Sequence, residues 1–124
     1  MYWQQRAAIT GKKGNAQMAL EFVDGTLFFG NTTGQVAETN QISTFSGTVK
    51  KVITAVMRGY DFGFEGTDRS IHEIQAQVTG ATVYDSQNPD NRVIVFGLLL
   101  LRDFSGNIDD PYHGIIDYTV IAEV

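Results

Sequence analysis

The stretch Val93-Ile94-Val95-Phe96-Gly97-Leu98-Leu99-Leu100-Leu101, bounded by Arg92 and Arg102, is apolar on both of the faces that a β-strand presents. An antiparallel sheet usually keeps one face wet and alternates apolar with polar residues along each strand. A strand apolar on both faces needs cover on its second side as well, and a second subunit is the expected cover. The run is far shorter than the roughly 20 residues of a membrane-spanning helix. No basic amphipathic segment accompanies it, so membrane insertion is not expected.

Turn residues divide the rest of the chain into short segments. Met18, Leu20 and Phe22 fall on one face before Asp24-Gly25, and Thr26-Leu27-Phe28-Phe29 follow, which predicts a hairpin closed by a type I′ turn at Asp-Gly. Residues 30–34 predict a further turn. Over residues 48–64 a helical face (Val49, Val52, Ile53, Val56, Met57) competes with a strand. The β-branched content, and the row Val52, Val56, Tyr60, Phe62 and Phe64 at period two, favour the strand. His72, Ile74, Ala76 and Val78 alternate with Glu73, Gln75 and Gln77 as in a half-buried strand, and Thr79-Gly80 marks a turn or bulge. Residues 85–91 form a polar connection. Ile116, Tyr118, Val120 and Ala122 then face opposite to Asp117, Thr119 and Glu123 in a last strand. Short strands at near-regular spacing predict an all-β fold, a single-domain antiparallel β-sandwich, with 1–48 as its N-terminal hairpin region.

Composition narrows the chemistry. With no cysteine there is neither a disulfide nor a thiolate metal site. A net charge of −5, with the basic residues scattered apart from Lys12-Lys13 and Lys50-Lys51, disfavours nucleic acid, whose affinity rests largely on phosphate neutralisation. The first residues lack the features of a signal peptide, so the chain is expected to be cytoplasmic when made, with release left open.

His72 and His113 are the only histidines, and neither has a triad-like partner at a recognisable spacing. No enzyme is expected. His72 sits at an inward-facing strand position and reads as structural, whereas His113 follows Asp109, Asp110 and Tyr112 in a loop, where binding groups concentrate. Asp103, Asp109 and Asp110, with Ser105 and Asn107 between them, offer oxygen donors of the kind Ca²⁺ prefers, though not at EF-hand spacing. A solvated acidic turn is the favoured reading, and no cofactor is expected. Asp61, Glu65, Asp68 and Arg69 form a second polar cluster, and the two together would make a rim suited to sugar hydroxyls. Trp3 reads as a plug for one edge of the core or of an interface. Gly11-Lys12-Lys13-Gly14-Asn15 reads as a turn and lacks a phosphate-loop pattern.

Residues 49–124 resemble the H-type lectin domain in order and rhythm: a strand ending in Gly59-Tyr60-Asp61, a strand over 71–78, the break at Thr79-Gly80, a long apolar strand to Leu101, Arg102-Asp103, and Tyr118-Thr119-Val120-Ile121-Ala122. The resemblance implies an antiparallel sandwich that assembles as trimers or hexamers and binds N-acetylgalactosamine-like sugars at subunit boundaries. That family commonly has Trp where this chain has Arg102-Asp103 and Tyr118, so its sugar specificity does not transfer. The expectation is a non-catalytic, homo-oligomeric carbohydrate-binding sandwich with Asp61, Asp68, Arg69, Asp103, Asn107, Asp109, Asp110, Tyr112 and His113 as candidate contacts. The rival expectation is a structural subunit of a virion, phage tail, injection machine or extracellular filament.

Overall fold

The computed structural model describes residues 6–13, 16–65, 71–103 and 110–124, with backbone alone at 6, 9, 11–13, 16–18 and 72. Its strands are β1 (Arg6–Lys13), β2 (Ala16–Thr32), β3 (Ala37–Thr44), β4 (Lys51–Phe64), β5 (Ile71–Val83), β6 (Arg92–Asp103) and β7 (Tyr112–Glu123). They form two antiparallel sheets, a curled β1-β2-β7-β4 and a smaller β3-β6-β5. This is the antiparallel β-sandwich that the residue pattern predicts, and no helix occurs among the described residues.

The apolar run is β6, the centre of the smaller sheet. Val93, Val95, Leu99 and Leu101 of β6 share one core with Val23 and Leu27 of β2 and Ile116, Tyr118 and Val120 of β7. Each such side chain, fully buried, contributes roughly 1.5–3 kcal/mol. Gly97 interrupts the run for a steric reason, because a Cβ there would lie 2.4 Å from Leu27 Cδ1 and 2.9 Å from the Gln77 carbonyl. On the back of β6, Leu100 is buried, Ile94 and Leu98 are half-buried and only Phe96 is open, at 39 %. The register sets Ile42 beside Ile94, and Glu38 and Gln77 on either side of Leu98. The strand's own sheet therefore screens much of the face for which outside cover is expected.

The expected hairpin at Asp24-Gly25 is corrected. β2 runs straight through these residues, paired with β7 from Leu20 to Phe29. Among the described residues the one glycine at positive φ is Gly34, at 75°, in the turn expected over 30–34. Gly25 serves packing instead. A Cβ there would lie 2.3 Å from the Tyr118 hydroxyl oxygen, and Asp24 accepts a 2.5 Å hydrogen bond from Thr119 Oγ1 on the neighbouring strand. Tertiary packing has overridden a strong local turn signal. Gly11, Lys12 and Lys13 are likewise strand, paired with Met18, Gln17 and Ala16, while Gly14 and Asn15 lie outside the described residues.

Over 51–64 the strand reading holds, but bulges between Val52 and Thr54 and between Met57 and Gly59 break the predicted one-sided row. Val52, Ala55, Phe62 and Phe64 pack on the core; Val56 and Tyr60 stay exposed. In β5 one bulge falls between Ile71 and Glu73 and a second between Val78 and Gly80, as Thr79-Gly80 suggests, and Ala76, Val78, Ala81 and Val83 pack inward. Ile74, expected on the same face, remains exposed.

Polar ties close both ends of the sandwich. Residues 45–50 cross from β3 to β4 with Phe45 N–H bonded to the Asn91 carbonyl at 2.7 Å and Val49 N–H to that of Asp90 at 2.8 Å. The buried Glu21 accepts from Ser46 N–H at 2.9 Å. At the opposite end the Tyr112 hydroxyl accepts from Ala37 N–H at 3.1 Å, and its hydrogen is shared between the carbonyls of Gln35 and Leu99 at 2.5 and 3.2 Å. Tyr118 and Ser43 pair their buried hydroxyls at 2.6 Å.

Burial pushes the Tyr112 and Tyr118 phenols above their ordinary range, each partly offset by a hydrogen bond, from Ala37 and Ser43 respectively. The folded chain therefore keeps these protons at pH values where the unfolded chain releases them. Stability is intact below the ordinary tyrosine range near pH 10 and falls as pH climbs through the raised values. Tyr118→Phe should lose about 1 kcal/mol at neutral pH through the missing bond to Ser43, yet show a flatter alkaline decline than wild type. Melting temperatures between neutral and strongly alkaline pH decide it; parallel profiles would contradict the assignment.

Candidate functional site

Alternation along β7 sends Tyr112, Gly114 and Ile116 into the core and leaves His113 and Ile115 on the outer face of the larger sheet. The register there aligns Phe28 of β2 and Asp61 of β4 with Ile115, and Gly63 of β4 with His113. Gly30 of β2, within the register shift between Phe29 and Thr32, also lines this space. These residues, with Phe29, Phe62 and Gly114 beneath, line an open groove of about 650 Å³. Its size is that of a small-ligand site, and its chemistry, an apolar floor with a few polar groups, is the usual one.

Two features give the groove its form. Gly63 faces His113 across β4 and β7 and Gly30 lines the same groove; a Cβ at either would meet nothing within 4 Å, so the space there is left open. Under it, β4 and β7 approach closely because Gly114 has no side chain; a Cβ there would lie 2.1 Å from Phe62 Cβ and 2.7 Å from the Asp61 carbonyl oxygen. At the mouth, His113 Nδ1 lies 2.6 Å from Glu65 Oε1. A carboxylate only accepts, so this contact assigns the Nδ1 hydrogen to the bond with Glu65 and leaves Nε2 as the ring's other polar atom. Glu65 N–H in turn donates to the Pro111 carbonyl at 2.9 Å, which ties the two predicted polar segments to each other.

Further along the same face runs a polar ladder. Thr26 Oγ1 donates to Asp117 Oδ1 at 2.8 Å, Thr119 Oγ1 to Asp24, and Arg58 Nε lies 3.7 Å from Asp24 Oδ1. These groups satisfy one another across β2, β7 and β4.

Of the candidate contacts, Asp61 and His113 come together in the groove. Tyr112 does not: its side chain is fully buried and its hydroxyl is used in holding the chain together, which corrects its reading as an exposed contact. Asp103 ends β6 in the smaller sheet, away from the groove, in register with Ile71 of β5; it and Asp110 are half-buried and each engaged in interactions of its own. Asp68, Arg69, Asn107 and Asp109 lie outside the described residues, as do Trp3 and the side chain of His72. Among the described residues no three acidic or histidine side chains gather as a metal site; Ser105, Asn107 and Asp109 of the Ca²⁺ expectation fall outside that set. Asp61 and His113 apart, none of the lining residues, Phe28, Gly30, Gly63 and Ile115 among them, was named as a contact from the sequence. The signal was present in the last strand, where extending its alternation back to residue 113 puts His113 and Ile115 on the face away from the core.

No family model matches this chain, and neither a curated protein nor a solved structure matches it.

Proposed function

We propose that this protein is a non-catalytic carbohydrate-binding β-sandwich and that the groove over β2, β7 and β4 holds the sugar. The observation that carries this reading is the pairing of an exposed aromatic, Phe28, with Asp61 and His113 around glycine-lined space. An aromatic face takes the apolar side of a pyranose, while a carboxylate and an imidazole nitrogen take its hydroxyls. Two carboxylates, Asp61 and Glu65, against one imidazole favour a neutral, hydroxyl-rich ligand over an anionic one. The resemblance to H-type lectins points the same way, and self-association belongs to this reading.

Binding to a glycan array, followed by titration of the best hit, tests it. Phe28→Ala, Asp61→Ala and His113→Ala should each weaken binding by roughly tenfold or more with unchanged melting temperature. Silence of the folded protein across a broad array of neutral glycans would overturn it. Gly30→Ala and Gly63→Ala offer a sharper check, since an added methyl meets nothing in the folded chain yet narrows the space beside His113. Both should keep wild-type stability within about 0.5 kcal/mol while losing affinity.

The second reading, a structural building block of a larger assembly, is favoured by a different observation: exposed Ile53, Val56, Met57 and Tyr60 on β4 and Ile71 and Ile74 on β5. Regular particles or fibres in electron micrographs of the purified chain would support it.

A further inference from the structure

Six of the ten exposed large apolar side chains among the described residues stand on β4 and β5, the edge strands at one side of the sandwich. Their placement there is not that of scattered surface residues. By register Tyr60 lies beside Ile116 and Ile74 beside Leu101, both wholly buried, yet Tyr60 is 51 % and Ile74 42 % exposed. Side chains on the core's own layer are thus open to water where the two sheets part. The six residues are 40–51 % exposed. Val56, in register with Thr119, stands on the outer face of the larger sheet; taking on the order of 150–200 Å² for a side chain of this size, the other five present roughly 400 Å² of apolar surface, in the range of the biggest patch on a typical monomer and about half of the roughly 800 Å² that each partner of a stable complex buries.

Charge along the same side selects the partner. Lys50 and Lys51 stand at the start of β4, and Asp61 and Glu65 at and just beyond its end. Lys51 faces Glu123 across the sheet, Glu65 faces His113, and Glu73 of β5 pairs with Arg102 at 2.9 Å, so the gradient is moderated but keeps its direction. Arg58, near the middle, is drawn back over the sheet by Asp24 and by the Tyr118 carbonyl at 3.4 Å. An edge basic at one end and acidic at the other is complementary to itself when reversed. The bulges beside Thr54 and Gly59 interrupt any long main-chain ladder, which leaves side-chain packing as the means of contact.

We propose that two copies of this chain pack along the β4/β5 side, antiparallel, about a two-fold axis near Met57. Ile53 of one copy then lies against Tyr60 of the other, and Lys50 and Lys51 against Glu65, in an isologous interface. The proposal rests on the self-association in the reading above and fixes the surface and symmetry; its acidic end adjoins the groove, because Glu65 also holds His113.

Sedimentation velocity and oxidative cross-linking of the full chain test it. Wild type should be a dimer at micromolar concentration, and Ile53→Glu/Ile74→Glu should be a folded monomer, with dimerisation weakened roughly 30-fold or more and glycan binding retained. Because the chain has no cysteine, Met57→Cys introduces the only thiol. Beside the axis it meets its own copy and should form a covalent dimer, whereas Ile53→Cys, some distance from its counterpart, should not. Should the glutamate pair fail to fold, the two cysteine variants decide alone. A monomeric wild type, an assembly that survives the glutamate pair, or equal cross-linking at both positions would overturn the proposal. Failure to bind any glycan would leave it standing.

Discussion

Gly25→Ala should lower the unfolding free energy by about 4 kcal/mol, the sum of an overpacking strain and of buried hydroxyls forced apart. The added Cβ would lie 2.3 Å from the Tyr118 hydroxyl oxygen and 2.4 Å from Cζ, inside a ring that is wholly buried. The ring cannot swing into solvent, so it must shift within the core, and the 2.6 Å contact with Ser43 is lost as it does. Denaturant unfolding of Gly25→Ala, Tyr118→Leu and the double variant checks this as a cycle. The double variant should recover at least about 1.5 kcal/mol relative to additivity, as expected of residues in direct contact. Were Asp24-Gly25 a hairpin turn, the same alanine would act through φ alone and show no coupling to residue 118. A loss below about 1 kcal/mol with additive behaviour would contradict a continuous β2.

Gly114→Ala should cost about 3 kcal/mol and abolish ligand binding even where the chain stays folded. Its Cβ would meet Phe62 Cβ at 2.1 Å, Phe62 Cα at 2.9 Å and the Asp61 carbonyl at 2.7 Å, and none of these atoms can be moved by choosing another rotamer. β4 must lift away from β7, and with it goes the wall of the groove that carries Asp61. Gly30→Ala and Gly63→Ala form the control for stability alone, because nothing crowds a methyl there. Chemical denaturation together with glycan titration separates the outcomes. A Gly114→Ala protein of wild-type stability and affinity would show that the close approach of the two strands is not required.

Much of the fold was legible because strands announce themselves through period-two burial. The last strand alternates without a break, so Ile116, Tyr118, Val120 and Ala122 were readable as core; β6 was readable as a strand in need of cover on both faces, but its place between β3 and β5 was not. Asp24-Gly25 misled because the local preference of the dipeptide for a turn is real, while the reason for its glycine, Tyr118, lies far along the chain. The bulges in β4 misled differently: the first shifts the alternation by one, so Val56 aligns with Thr119 on the outer face, and the second restores it, so Tyr60 aligns with Ile116 on the core layer yet stays exposed at the sheet's edge. His113 and Asp61 were singled out by their chemistry, but the loops expected around them are corrected: Asp61 lies in β4 and His113 in β7. Phe28, Gly30 and Gly63 were not, since the groove exists only once β2, β7 and β4 are laid side by side, in an order that places the last strand between two much earlier ones.

Amide chemical-shift mapping of the isotope-labelled protein during titration with neutral oligosaccharides tests the glycan-groove reading most directly. The account predicts perturbations that saturate and cluster at Phe28, Gly30, Asp61, Gly63, His113 and Gly114. No perturbation across the panel, or a cluster on the β3-β6-β5 sheet instead, would contradict it.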